Sequence, residues 1–111
     1  MPRESAVSEW KRDLEMITIK HGEDAMPQNV FVIDGKFQGM IPLGPRIVLA
    51  NTYPEAERIL RSHIRRLDGF ILKVVHSEPF TNGLRIDHLR EDYKTDDVYL
   101  RASLRSYSES P

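Results

Sequence analysis

Two periodicities of apolar and polar residues run along this chain, and the points where one gives way to the other predict its elements. Val7, Trp10, Leu14 and Ile17 recur at spacings of three and four, with Glu9, Lys11, Arg12 and Asp13 on the other face. That is the amphipathic pattern of a helix over 5–21. Ser5 can cap its start and Gly22 can stop it, although β-branched Ile17, Thr18 and Ile19 weaken the last turn. A second helix is clearer. Ala56, Ile59, Leu60, His63, Ile64 and Leu67 fall at i, i+3, i+4, i+7, i+8 and i+11, which predicts a helix over 53–67 stopped by Asp68-Gly69. Ahead of it, Thr52-Tyr53-Pro54-Glu55 forms a capping box, in which the hydroxyl and the carboxylate satisfy free amides of the first turn.

Elsewhere the period is two. Segments 30–33 and 36–41 flank Asp34-Gly35, a dipeptide that tolerates the positive φ angles of a tight hairpin turn. This sets Val32 opposite Phe37 and Phe31 opposite Gln38, with Val30, Val32 and Phe37 toward the core. Segment 46–50 reads as a third strand. Residues 70–75 are apolar except at Lys73, as expected of a central strand covered on both faces, and Pro79 disturbs its end. Asn82-Gly83 predicts a second hairpin. Leu84, Ile86 and His88 then alternate with Arg85, Asp87 and Leu89, and Val98, Leu100, Ala102 and Leu104 with Tyr99, Arg101, Ser103 and Arg105, giving two more strands about an acidic loop over 91–97.

The order α, β, β, β, α, β, β, β predicts an α+β fold: a mostly antiparallel sheet of five or six strands with two helices packed on one face. Residues 1–105 read as a single domain and 106–111, polar and without apolar period, as a frayed tail. At 111 residues the chain is long enough for one core without a covalent or metal staple. The longest apolar runs are far below the ~20 residues of a membrane span, and the charged start is unlike a signal peptide, so a cytoplasmic protein with no membrane partner is expected.

Charge and chemistry narrow the function by exclusion. Sixteen Lys plus Arg nearly cancel 17 Asp plus Glu, leaving a formal charge of -1, so any electrostatic recognition must be local. There is no cysteine, which excludes disulfides, thiolate nucleophiles and cysteine-ligated metals. Gly35, Gly39 and Gly44 do not run from a strand into a helix N-terminus, so no phosphate-cradling loop is present. His21 with Glu23 and Asp24, His76 with Glu78, and Asp87 with His88 lack diagnostic metal spacing. Were Asn82-Gly83 a tight hairpin, His76 and His88 would point to opposite faces. His63, inside an apolar stripe, reads as a boundary residue bonded through one nitrogen rather than a general base. The acidic residues over 91–97 are interspersed with Lys94 and follow Arg90, as in a solvated loop rather than a paired acid/base site. No catalytic residue, metal or cofactor is predicted, and the chain reads as a non-enzyme.

Arginine usage is the most informative departure: 11 Arg against 5 Lys. Arg58, Arg61 and Arg65 align on one helical stripe with Arg66 beside them, and Arg85, Arg101 and Arg105 alternate with apolar residues on the expected strands, sharing their sheet with Tyr99. Arginine makes planar bidentate contacts with carboxylate or phosphate, and arginine with aromatic residues suits contact centres. A solvated helix face is the simpler reading of the first group, since Glu57 and Arg61 are an ordinary i, i+4 pair. The stretch from Asp34-Gly35-Lys36-Phe37 to Thr52-Tyr53-Pro54-Glu55-Ala56-Glu57 resembles the strand–strand–strand–helix units of small antitoxin and phage accessory proteins over about a quarter of the chain, and assigns no family. The leading expectation is a protein–protein interaction module, an adaptor or inhibitor such as a small phage or plasmid accessory protein, which occupies the surface of a larger partner. A nucleic-acid-binding regulator using helix 53–67 or the arginine-bearing strands is second, and a small His/carboxylate enzyme third. Homo-oligomers remain open to any of the three.

Overall fold

The computed structural model describes residues 2–22, 26–64 and 67–100; the expected tail over 106–111 lies outside them. Helix α1 (Pro2–His21) buries Trp10 and Ile17 and half-buries Leu14, the stripe that the spacing predicts. The chain then enters β1 (Asn29–Phe37), turns into the short β2 (Ile41–Pro42) and returns as β3 (Arg46–Ala50). Helix α2 (Tyr53–His63) follows, then β4 (Phe70–Pro79), α3 (Gly83–Tyr93) and β5 (Val98–Tyr99). Among the described residues this is the expected α+β fold, a five-stranded and mostly antiparallel sheet; the parallel pair is β3 with β5. No helix among them is long and apolar enough to cross a membrane.

Strand β1 is the centre of the sheet. It pairs antiparallel with β3 over Asn29–Ile33 on one side and with β4 along its whole length on the other, while β2 takes up Lys36 and Phe37 beyond the end of β3. Helices cover both faces. Val30, Val32, Ile47 and Leu49 pack with Trp10 of α1 and Ile86 and Leu89 of α3. Phe31, Ile33, Val48 and Ala50 pack with Ala56, Ile59 and Leu60 of α2. Alternate residues of β1 and β3 are therefore apolar on both faces, which is why these strands read as continuous hydrophobic runs. Two helices do share a face, as expected, but they are α1 and α3.

Several local expectations are corrected. The hairpin does not turn at Asp34-Gly35, which lies inside β1. A Cβ on Gly35 would sit 2.6 Å from the Ile71 carbonyl oxygen, so the glycine is there for close approach of β4, and the long-range ladder overrides the local turn signal. The reversal comes at Gln38 and Gly39, whose φ angles are 52° and 72°, with Met40 N–H donating to the Phe37 carbonyl at 3.0 Å. Val32 and Phe37 are thus on one strand, and Phe37 lies on the α2 side with Phe31 and Ile33 rather than with Val30 and Val32.

Asn82-Gly83 is likewise no hairpin. The Asn82 side chain accepts from Arg85 N–H at 2.9 Å and caps α3, and Ile86 and Leu89 face inward three residues apart, with Tyr93 packed against the same core. A helical period of i, i+3, i+7 was masked by alternation over six residues. Residues 91–93 of the expected acidic loop belong to this helix. Helix α2 ends at His63, four residues short, and Leu67 reaches the core from the connection that follows. Thr52 caps it as expected, and Glu55 reaches back to accept from the Asn51 amide at 2.8 Å. The expected strand 98–104 is seen as Val98–Tyr99, and its remainder from 101 onward lies outside the described residues.

Candidate functional site

Over its first six residues strand β4 has the composition of an interior strand, yet it has the position of an edge. It pairs with β1 alone among the described residues, so the expectation of a central, doubly covered strand is wrong. Ile71 is 77% exposed, Val74 38% and Val75 41%. The pairing slips between Val32, opposite His76, and Ile33, opposite Val74, which leaves Val75 as the extra residue of a β-bulge. Phe80 N–H donates to the Gln28 carbonyl. Alternation along the ladder, stepped once at the bulge, then directs the backbone groups of Leu72, Val74 and Ser77 away from β1.

Helices α1 and α3 cover only part of their face. Past Val32 the same face continues as Asp34 and Lys36 on β1, paired with Lys73 and Ile71 on β4, and among the described residues no helix packs over it. These four residues, with Gly35 and Gly39, line an open cleft of about 320 Å³. The Asp34 carboxylate is turned inward, accepting from Gly35 N–H at 2.6 Å and Gly44 N–H at 3.0 Å, so that one Oδ1 ties β1 to the 43–45 loop. Lys36 and Lys73 are exposed and make no side-chain hydrogen bond or ion pair with other described residues. Ile71 supplies the apolar side of the cleft.

At the other end of β4, the Glu78 carboxylate receives Arg85 Nε at 2.7 Å and Nη2 at 2.8 Å, and His76 Nε2 lies 2.7 Å from its Oε1. The bidentate hydrogen bonds from Arg85 are the main reason that its pKa falls to about 2; burial opposes the shift and His76 assists it. Glu78 is therefore an ionised acceptor at any physiological pH, and its chemistry is to hold β4 to α3 rather than to donate a proton. Among the described residues no three His, Asp or Glu side chains converge as a metal site.

Of the sequence-derived arginines, Arg58, Arg61 and Arg85 lie among the described residues. Arg61 donates to Glu57 Oε2 (3.2 and 3.0 Å) and reaches the carbonyls of Leu67 (2.8 Å) and Phe70 (3.2 Å), closing the connection from α2 to β4. Arg85 is on α3, not on a strand, and is held by Glu78. Arg58 is exposed on α2. Arg65, Arg66, Arg101 and Arg105 lie outside the described residues. The Tyr99 hydroxyl accepts from Arg46 at 3.2 Å and its ring meets His63, whose Nε2 bonds the Leu100 carbonyl at 3.1 Å. His63 is thus bonded through one nitrogen as expected, on the exposed side of the helix. His88 is exposed on α3 and remote in role from His76. The residues that sequence reasoning missed are Lys36, Ile71, Lys73, Val74 and Val75. A signal was available: a lysine inside an apolar run that ends in proline is how edge strands are marked. No protein-family model, curated protein or solved structure matches the chain.

Proposed function

We propose that the protein is a non-enzymatic interaction module, acting in the cytoplasm as an adaptor or inhibitor, that binds an extended segment of a larger protein by adding it as a strand to the outer edge of β4. The observation that carries this reading is the edge itself: a ten-residue strand that, among the described residues, pairs on one side, with Ile71, Val74 and Val75 exposed. Strand addition draws affinity from main-chain hydrogen bonds and specificity from alternate side chains, and Leu72, Val74 and Ser77 offer the main-chain groups. The nucleic-acid reading weakens in parallel, because Arg61 and Arg85 are committed to hydrogen bonds with other groups of the chain.

The test is selection of binders from a displayed library of random linear peptides, followed by amide hydrogen exchange of the complex. Enriched peptides should slow exchange at Leu72, Val74 and Ser77. Val74→Pro, which removes an outward N–H without touching the ladder to β1, should fold cooperatively and lose the peptides. Protection that appears elsewhere, on α2 for example, or a library that yields no binder, overturns strand addition.

A further inference from the structure

Resting on that reading, we infer that the added strand is acidic, and that the cleft between Lys36 and Lys73 receives one of its carboxylate side chains. In an antiparallel or parallel addition, the residue of the incoming strand beside Lys73 points to the same face of the sheet, about 5 Å away between Cβ atoms. That face is the open cleft. Its two lysines and one aspartate leave one net positive charge, and the aspartate is turned toward the Gly35 and Gly44 amides instead of toward the lysines. Both ammonium groups are thus available to a ligand, and Ile71 beside them gives the stem of a glutamate, or an apolar neighbour two residues along, a surface to cover.

Two other occupants fit less well. A second copy pairing β4 in full antiparallel register sets Lys73 against the second copy's His76 and Ile71 against its Glu78, which matches neither charge nor polarity; a shifted register sets Lys73 against Lys73. Residues 101–111 of the same chain carry Arg101 and Arg105 against a single Glu109, so they bring the same sign of charge that the cleft already holds. The bulge at Val75, Lys73 itself and Pro79 are features that discourage indiscriminate edge pairing. A strand that supplies a carboxylate at the lysine turns one of those obstacles into a contact, which is how one partner is preferred over many.

The experiment compares the peptides selected by the wild-type protein with those selected by Lys73→Glu and Lys36→Glu. Wild-type binders should carry an excess of Asp or Glu at one fixed position, and replacing that residue by its amide should weaken binding about tenfold or less, more at low salt than at high. Lys73→Glu should lose the acidic peptides and recover affinity for versions with Lys at the same position. Slowed exchange at Leu72, Val74 and Ser77 with no acidic preference, or with an amide analogue that binds equally well, overturns this inference while leaving strand addition intact. Absence of that protection overturns strand addition itself. A single-stranded oligonucleotide that binds the wild type more tightly than the peptides at the same salt, and loses binding in both lysine variants, assigns the cleft to phosphate and also overturns the inference.

Discussion

Strands β3 and β4 flank the same central strand, run antiparallel to it and each carry an apolar run, yet one is sealed and the other open. Ile47, Val48, Leu49 and Ala50 are all fully buried, because α2 covers one face, α1 and α3 the other, and β5 extends the sheet beyond. β4 has no further neighbour among the described residues, and its exposure runs from half-buried to 77% along the strand. An apolar run therefore reports how well a segment tolerates burial, while its place in the sheet decides whether burial is completed within the chain or left for a second molecule. The same division falls within β1, whose residues Val30–Ile33 are covered and whose Asp34 and Lys36 border the cleft.

The contrast would break most visibly if the two sides responded alike to truncation. Leu60→Ala, under the covered sheet with no exposed surface, should lose about 2–5 kcal/mol of unfolding free energy in denaturant titration, and Ile71→Ala no more than about 0.5 kcal/mol. Equal losses would mean that β4 is as fully packed as β3. Gly35→Ala should come next. The methyl group would meet Ile71 backbone oxygen at 2.6 Å and Leu72 Cδ2 at 2.8 Å, and we expect a cost on the order of 1–3 kcal/mol together with faster amide exchange confined to the β1–β4 ladder. Exchange that quickens equally in β3 would show that the two flanks unfold as one unit.

Smaller effects concern how the open flank is tied down. Arg61→Ala should cost about 1 kcal/mol, since it releases the carbonyls of Leu67 and Phe70 at the entrance to β4, while Arg58→Ala on the same helix should be near neutral; urea titration of the two variants separates them. Glu78 ties the other end. Its folded pKa, about 2, lies below its ordinary value of 4.5, so its contribution is complete above 4.5 and fades as pH falls toward 2. The wild type should lose its advantage in Tm over Glu78→Gln across that window and keep it undiminished toward neutral pH. A constant difference down to pH 2 would show that the carboxylate charge is not what holds α3 to β4.

How far the fold could be read before it was seen depends on the range of the forces that set each element. The amphipathic stripe of α1, the first turns of α2 with their Thr52 cap and the apolar run of β3 are written within a few residues of themselves, and each is where the sequence places it. The failures share a different origin. Asp34-Gly35 and Asn82-Gly83 are genuine turn dipeptides, but the first is held straight by pairing with residues 72 and 73, and the second starts a helix because Ile86 and Leu89 find Trp10. The arginines stand out in the sequence by number, and Arg46, Arg61, Arg85 and Arg90 among the described residues are used for internal closure. The cleft was missed because its parts lie 37 residues apart, Lys36 on β1 and Lys73 on β4, and no local pattern joins them.

The extra residue at Val75 can also be read as a change of frame. Counted in twos along an uninterrupted strand, His76 and Glu78 would share a side with Val74 and Leu72, and Ile71 and Lys73 would fall on the reverse. One inserted residue shifts the phase, so that the segment before it and the segment after it present their charged side chains to the same side. A strand of fixed length must commit all its alternate residues to a single pattern, whereas this one carries two patterns joined at a splice. The first serves the lysine cleft and the second the anchor to α3. A chain shorter by that single residue could keep one of the two in place only by turning the other over.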